Sequence, residues 1–134
     1  MTKQLTRITY VEDEPDIRVV AQIALAELGG FTVDACASGT EALERAPAFD
    51  PDLIVLDVMM PVMDGIATFH ALQADPRLAE APVVFMTARV QSHEIENYKA
   101  IGVSGVIPKP FDPLTLADQI RAMWGNFQAE RSVA

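Results

Sequence analysis

Residues 53–57 read Leu-Ile-Val-Leu-Asp, and residues 83–87 read Val-Val-Phe-Met-Thr. Each is an unbroken apolar run closed by one polar residue. A strand with one wet face alternates apolar and polar side chains, so runs without alternation read as strands covered on both sides, the pattern of a parallel sheet. Three further short runs of strand character lie at 7–11 (Arg-Ile-Thr-Tyr-Val), 31–35 and 105–107. Segments with helical periodicity separate them, and strands alternating with helices imply an α/β fold with helices on both faces of the sheet. Crossovers in such sheets are right-handed, so a doubly wound chain with five strands and five helices is expected. Ligands bind this architecture beyond the carboxyl ends of the strands, which makes the polar residues just after each run the ones to weigh.

The helices are legible from spacing and punctuation. Ile17, Val20, Ala21, Ala24, Leu25 and Leu28 follow i, i+3, i+4, i+7 and should share one buried face, with Asp13 and Pro15 at the start and Gly29-Gly30 at the end. Ser38-Gly39-Thr40-Glu41 has the form of a capping box opening the second helix. A third helix is expected from about 65 to 74, stopping before Asp75-Pro76, and a fourth from about 90 to 101, stopping at Gly102. The last follows Asp112-Pro113 and carries Leu116, Ile120, Met123, Trp124 and Phe127 as a core stripe.

At 134 residues the chain is the length of one domain, spanning 1–134, and a hydrophobic half gives it material for one core. Ten basic residues against nineteen acidic ones leave a net charge of −9. Such a surface repels phosphate backbones and anionic lipid, which argues against direct nucleic-acid or membrane binding. The lone cysteine, Cys36, reads as a small buried hydrophobe, and no Cys/His set has zinc spacing. No apolar run is long enough to span a bilayer, and the N-terminal residues lead into a strand-like run without a signal-peptide core, so a cytoplasmic protein is expected.

The strand ends hold a consistent set. The first runs into Glu12-Asp13-Glu14, the third into Asp57, the fourth into Thr87, and the fifth through Pro108 into Lys109-Pro110. If the first and third strands are neighbours, Glu12, Asp13 and Asp57 meet in one shallow pocket. Carboxylates so placed repel one another unless a cation sits among them, and Mg²⁺ prefers a few carboxylates with retained water and phosphate oxygens. Lys109 adds a mobile ammonium and Thr87 a hydroxyl. Together these groups suit phosphoryl transfer, which depends on positioning and charge neutralisation. Singly, each has a plainer reading as a helix cap, a turn or a solvated acidic face. The plain readings require four coincidences in order.

On these residues the chain resembles the receiver domain of two-component response regulators, of the single-domain, chemotaxis-regulator-like type. The matching motifs are Val-Glu-Asp-Glu at 11–14, Leu-Ile-Val-Leu-Asp-Val-Met-Met-Pro-Val-Met-Asp-Gly at 53–65, Val-Phe-Met-Thr-Ala at 84–88 and Ile-Pro-Lys-Pro-Phe at 107–111. The likeness covers about 6–125, leaving 126–134 as a short C-terminal tail. It implies a flavodoxin-like strand order 2-1-3-4-5. It implies that Asp57 accepts a phosphoryl group from a histidine kinase or phosphotransfer protein. Asp13, Asp57 and the Met59 carbonyl would then ligate Mg²⁺, with Glu12 acting mainly through water. Lys109 would pair with Asp57 and then with a phosphoryl oxygen, and Thr87 would swing toward that group. Lys109-Pro110 is usually a cis peptide in the family, and Pro61 and Gly65 would shape the loop after Asp57, Gly65 by its backbone freedom. A receiver of this kind signals by docking through its helix 4–strand 5–helix 5 face or by relaying the phosphate. It is no enzyme on outside substrates.

Two departures stand out. Receivers commonly carry Tyr or Phe three residues before the lysine; here that position is Val106, which has no ring to bury, so the usual switch with Thr87 is in doubt. Met59 and Arg89, two residues beyond Asp57 and Thr87, sit where receivers tune dephosphorylation. His70 and His93 read as exposed helical residues, and Tyr98 as a surface residue or part of a partner face. A haloacid-dehalogenase-type phosphatase would need its Asp-x-Asp-x-Thr after strand 1, and a flavodoxin-like nucleotide binder a glycine-rich loop there; neither is present. A pseudo-receiver without phosphorylation is opposed by the complete acidic, Thr and Lys set.

Overall fold

The structure, a computed structural model, describes residues 3–133. Its elements in order are β1 (Arg7–Val11), α1 (Pro15–Gln22) running on as a π-helical turn (Ile23–Leu28), β2 (Thr32–Cys36), α2 (Gly39–Phe49), β3 (Leu53–Asp57), α3 (Gly65–Gln73), β4 (Val83–Thr87), α4 (Ser92–Ala100), β5 (Gly105–Pro108) and α5 (Leu116–Val133). All strand pairs are parallel and the sheet order is β2-β1-β3-β4-β5, as the resemblance implied. Among the described residues no helix is long and apolar enough to cross a membrane.

Side chains alternate along each strand, so β3 and β4 feed two cores at once. Leu53, Val55, Val84 and Met86 pack toward α1 and α5, with Ala21, Ala24, Leu25, Leu116, Ile120 and Trp124. Ile54, Leu56, Val83 and Phe85 pack the other way, with Ala42, Ala46, Phe69, Leu72 and Tyr98 of α2, α3 and α4. All five residues of β3 and of β4 are buried, which is why neither run alternates in sequence.

Several local expectations need correction. The first helix buries Ala21, Ala24 and Leu25, whereas Val20 and Leu28 are 42% and 61% exposed. Val20 lies at the edge of the narrow alanine stripe, and the wide π turn rotates Leu28 outward; a uniform 3.6-residue period does not anticipate either. Glu14, not Asp13, is the N-cap of α1, with Pro15 behind it. Ser38 Oγ accepts from Glu41 N at 3.1 Å, but the reciprocal half of the box is replaced by an ion pair from Glu41 to Arg45 at 2.7 Å. Helix α4 starts at Ser92 rather than 90, where Glu94 accepts from Gln91 N. Helix α5 continues through 126–133, the stretch expected to be a tail. Tyr98 is 7% exposed and buried against Phe85 rather than a surface residue.

The start of β1 is tied to β3 by Asp52, whose Oδ2 accepts from Thr6 N at 3.0 Å and Arg7 N at 2.9 Å, while Lys3 pairs with Oδ1 at 2.8 Å. Burial works against the carboxylate, yet these donors outweigh it and hold its pKa below the ordinary aspartate value. A depressed folded-state pKa gives stability present above the unfolded value and lost as pH falls. Asp52→Ala is therefore expected to cost about 2 kcal/mol at pH 7 in urea unfolding, the scale of donors left unpaired at a half-buried site, with the difference from wild type shrinking below pH 4.

Candidate functional site

Because β1 lies beside β3, with Val11 opposite Leu56, the residues that follow both strands emerge together at one rim. One carboxylate oxygen each from Glu12, Asp13 and Asp57 lie within 4.8 Å of one another. Glu12 is fully buried and Asp57 3% exposed, while Asp13 is half-buried. Lys109 reaches in from the end of β5, its Nζ 2.7 Å from Glu12 Oε1 and 3.2 Å from Asp57 Oδ2. Its main chain is fixed by a hydrogen bond from Lys109 N to Thr87 O at 2.9 Å, and the Lys109–Pro110 peptide is cis. The resemblance implied a lysine paired with Asp57; here the shorter contact is to Glu12.

Around this pocket the loops are held by backbone contacts. Glu12 N donates to Cys36 O, and Arg18 donates to Glu12 O. Met59 N donates to Asp57 Oδ1 at 3.2 Å, leaving the Met59 side chain 62% exposed. Thr87 is buried at the end of β4, its Oγ1 accepting from Arg89 N at 3.0 Å, and the Arg89 side chain is exposed. Val106 is half-buried against the α2–α3–α4 core. His70 and His93 are exposed on α3 and α4. Tyr10, which sequence reasoning passed over, lies fully buried two residues before Glu12 on the same side of β1, its hydroxyl donating to Met86 Sδ at 3.5 Å. Burial and then the Glu12 and Asp57 charges push its phenol well above its usual pKa.

Gly65 shapes the loop after Asp57 by size rather than by φ. A Cβ there would lie 2.5 Å from Asp57 O, so only glycine lets α3 start against that strand end. Asp64 caps the helix, Oδ1 accepting from Ala67 N at 2.8 Å, a cap that sequence reading missed inside the motif. The left-handed residue of the loop is Val62, with φ of 67° and full exposure. A β-branched side chain resists that region, so Val62→Asn is expected to stabilise the fold by about 1 kcal/mol, read as a rise in the thermal midpoint.

Electrostatically the pocket is over-supplied with negative charge. Apart from the ion pair with Lys109, neither Glu12 oxygen has a hydrogen-bond partner among the described residues. Burial, and then the adjacent Asp57 carboxylate, push the Glu12 carboxyl up to about 8, with Lys109 pulling the other way. For Lys109, burial opposes the charge and the two carboxylates outweigh it, raising its pKa. A buried Glu12 oxygen with no donor, Oε2, three carboxylates together and only hard ligands fit a divalent ion such as Mg²⁺.

A parallel α/β sheet thus carries an acid pocket and an inward lysine at its carboxyl edge. A profile of the response regulator receiver domain matches residues 8–121, and the chain belongs to that family, the receivers of two-component systems. It is 38% identical over 123 residues to the response regulator Rre1 of Synechocystis, covering 91% of this chain and 53% of that protein. It is 34% identical over 122 residues to the transcriptional regulatory protein CseB of Streptomyces coelicolor, covering 91% and 50%. The chain thus spans about half the length of the curated relatives it matches. Among solved structures it resembles the chemotaxis protein CheY4 of Vibrio cholerae, with a TM-score of 0.82 and 29% identity over 90% of this chain and 99% of that one.

A folded-state carboxyl pKa of about 8 against the ordinary 4.5 means that the metal-free native state holds a proton the unfolded state has released, so stability falls as pH rises between those values. Glu12→Gln removes that dependence. The variant is expected to match wild type near pH 4 and to unfold at a higher temperature than metal-free wild type at pH 8, while Mg²⁺ raises the wild-type midpoint more at pH 8 than at pH 5. Calorimetric scans with and without Mg²⁺ check both.

Proposed function

We propose that the chain is a stand-alone receiver that takes a phosphoryl group on Asp57 from a histidine kinase or phosphotransfer protein, and signals by docking or by passing the phosphate on. The observation that carries this is the meeting of Glu12, Asp13 and Asp57 within 4.8 Å, with Lys109 against two of them, in a chain of receiver family. In the transfer, a carboxylate oxygen of Asp57 attacks phosphorus, an O–P bond forms as the N–P bond of phosphohistidine breaks, and imidazole leaves. The product is an acyl phosphate. Lys109, already 3.2 Å from Asp57 Oδ2, follows the new phosphoryl oxygen, and the Thr87 hydroxyl, which accepts from Arg89 N, turns to donate to that oxygen.

Asp13, Asp57 and the Met59 carbonyl would hold Mg²⁺, with Glu12 acting through water. Bound there, the ion neutralises charge on the phosphoryl oxygens. Met59 offers no hydrogen bond to a water attacking the acyl phosphate, and Arg89 at the rim orders or obstructs one, so autodephosphorylation is part of the reading. The chain otherwise acts on no outside substrate. Its downstream contact is a protein at the α4–β5–α5 face, with neither nucleic acid nor membrane bound directly, and its place is the cytoplasm. Action without a fused output domain is part of this proposal. An immunoblot of the native protein tests it, a band at twice this mass counting against it.

Incubation with acetyl phosphate and Mg²⁺ is expected to phosphorylate wild type to near one equivalent and Asp57→Asn not at all, by intact mass. Equal labelling of the two would remove Asp57 from the reading. Because Val106 carries no ring, activation should perturb backbone amides of the Thr87–Val90 loop and α4 more than those of β5. An NMR shift map with β5 as the most perturbed element would contradict this.

A further inference from the structure

Beneath the acid pocket lies a polar group that phosphoryl transfer does not use. The Tyr10 side chain is 1% exposed and sits in the core on the α1 and α5 side of the sheet, with Val55, Met86 and Ile107. A phenylalanine would fill the same space, and a hydroxyl in such surroundings costs free energy unless it is bonded. Its partner among the described residues is the Met86 thioether, Oη donating to Sδ at 3.5 Å. Tyr10 stands in register with Val55 of β3, and Val55 with Val84 of β4. The contact therefore crosses under β3 on the diagonal and ties β1 to the end of β4.

The end of β4 is where the sheet has use for such a tie. There the β3–β4 ladder closes on a long bond, Val58 N donating to Met86 O at 3.3 Å, against 3.0 Å for Ile54 N to Pro82 O at its start. Backbone bonds are ordinarily about 2.9–3.0 Å. From β5, Lys109 N donates to Thr87 O at 2.9 Å. Thr87 directly follows Met86, and successive side chains leave opposite faces of a strand. Whatever holds the Met86 side chain thus fixes the backbone from which the Thr87 hydroxyl is aimed.

We propose that Tyr10 is a positioning residue for the phosphoryl site: through the Met86 sulfur, its hydroxyl holds the end of β4, and with it Thr87, in place beside Asp57. Tyr10 itself touches neither the phosphoryl group nor a metal; it acts through Met86 and Thr87. The effect on phosphoryl transfer rests on Asp57 as the phosphoacceptor, whereas the hold on β4 does not. A thioether is a weak acceptor, so the expected effects are a few fold rather than orders of magnitude.

Two variants test the link. Tyr10→Phe keeps the ring and removes the hydroxyl; Met86→Leu keeps the apolar volume and removes the sulfur. Amide hydrogen exchange in the unphosphorylated protein, followed by NMR, reads the hold on β4. In either variant the Val58 and Lys109 amides, which bond Met86 O and Thr87 O, are expected to exchange faster, by at least about threefold more than the Ile54 amide. Labelling by acetyl phosphate at saturating Mg²⁺, timed by intact mass, reads the positioning. Each variant is expected to be labelled at least about threefold more slowly than wild type, and the double variant no more slowly than the slower single one, because both changes remove the same link. Exchange that rises equally at Val58, Lys109 and Ile54, or at none of them, overturns the proposal. So do slowing factors that multiply in the double variant, and wild-type labelling in variants whose exchange has risen; a merely structural contact would give the latter, with a lower thermal midpoint alone. Should one variant fail to fold, the other is read against wild type by both measurements. A wild type that takes no label counts against the phosphoacceptor reading, and exchange then decides the hold on β4.

Discussion

Three carboxylates crowded at the end of a buried sheet are the constraint on which the rest of the molecule turns. Like charges about 4 Å apart repel by about 4 kcal/mol at an effective dielectric of 20, and three such groups form three repulsive pairs. Lys109 supplies two close attractions, to Glu12 and Asp57, and leaves Asp13 unanswered. The deficit is met by holding a proton, which the raised Glu12 pKa expresses, or by a divalent cation. A site tuned to be incomplete in this way has a built-in affinity for charge of the opposite sign. It is the same property that lets a receiver bring a phosphoryl group and its counter-ion together.

The fold exists to keep that crowding fixed. Parallel strands place β1 and β3 side by side, so Glu12, Asp13 and Asp57 emerge together although 44 residues separate Asp13 from Asp57. Full burial of β3 and β4 on both faces stiffens the floor beneath them. Gly65 then allows α3 to begin against the Asp57 carbonyl, where any side chain would collide. Lys109 enters from the far edge on a main chain bonded to Thr87. Each device acts on position, and Lys109 alone also brings charge to the site.

Strand positions and strand-end chemistry were legible in sequence because both follow from local rules: unbroken apolar runs report two-sided burial, and the residue after such a run reports what the sheet edge offers. Less legible was anything decided by geometry between elements. The i, i+3, i+4 pattern of the first helix assigned Val20 and Leu28 to the core, and the π turn at Ile23–Leu28 put Leu28 in solvent. Glu41 suited a capping box, yet Arg45 one turn on competes for its carboxylate. The stretch beyond Gly125 was expected as a tail because its residues are largely hydrophilic, although Phe127 had been placed on the core stripe; it is buried, and the helix runs on to Val133. Asp64 as a cap and Val62 as the left-handed residue were hidden because the loop was read as a motif rather than as a backbone path. Tyr98, half expected at a surface, needed Phe85 beside it to be placed.

The account stands or falls on what occupies the acid pocket. Anomalous diffraction from crystals grown with Mn²⁺, a hard octahedral stand-in for Mg²⁺, locates the ion without assuming its ligands. The account predicts a peak at about 2.0–2.2 Å from carboxylate oxygens of Asp13 and Asp57, with Lys109 still directed inward. Crystals with manganese bound elsewhere, or with these carboxylates turned apart and the pocket holding only water, would contradict it.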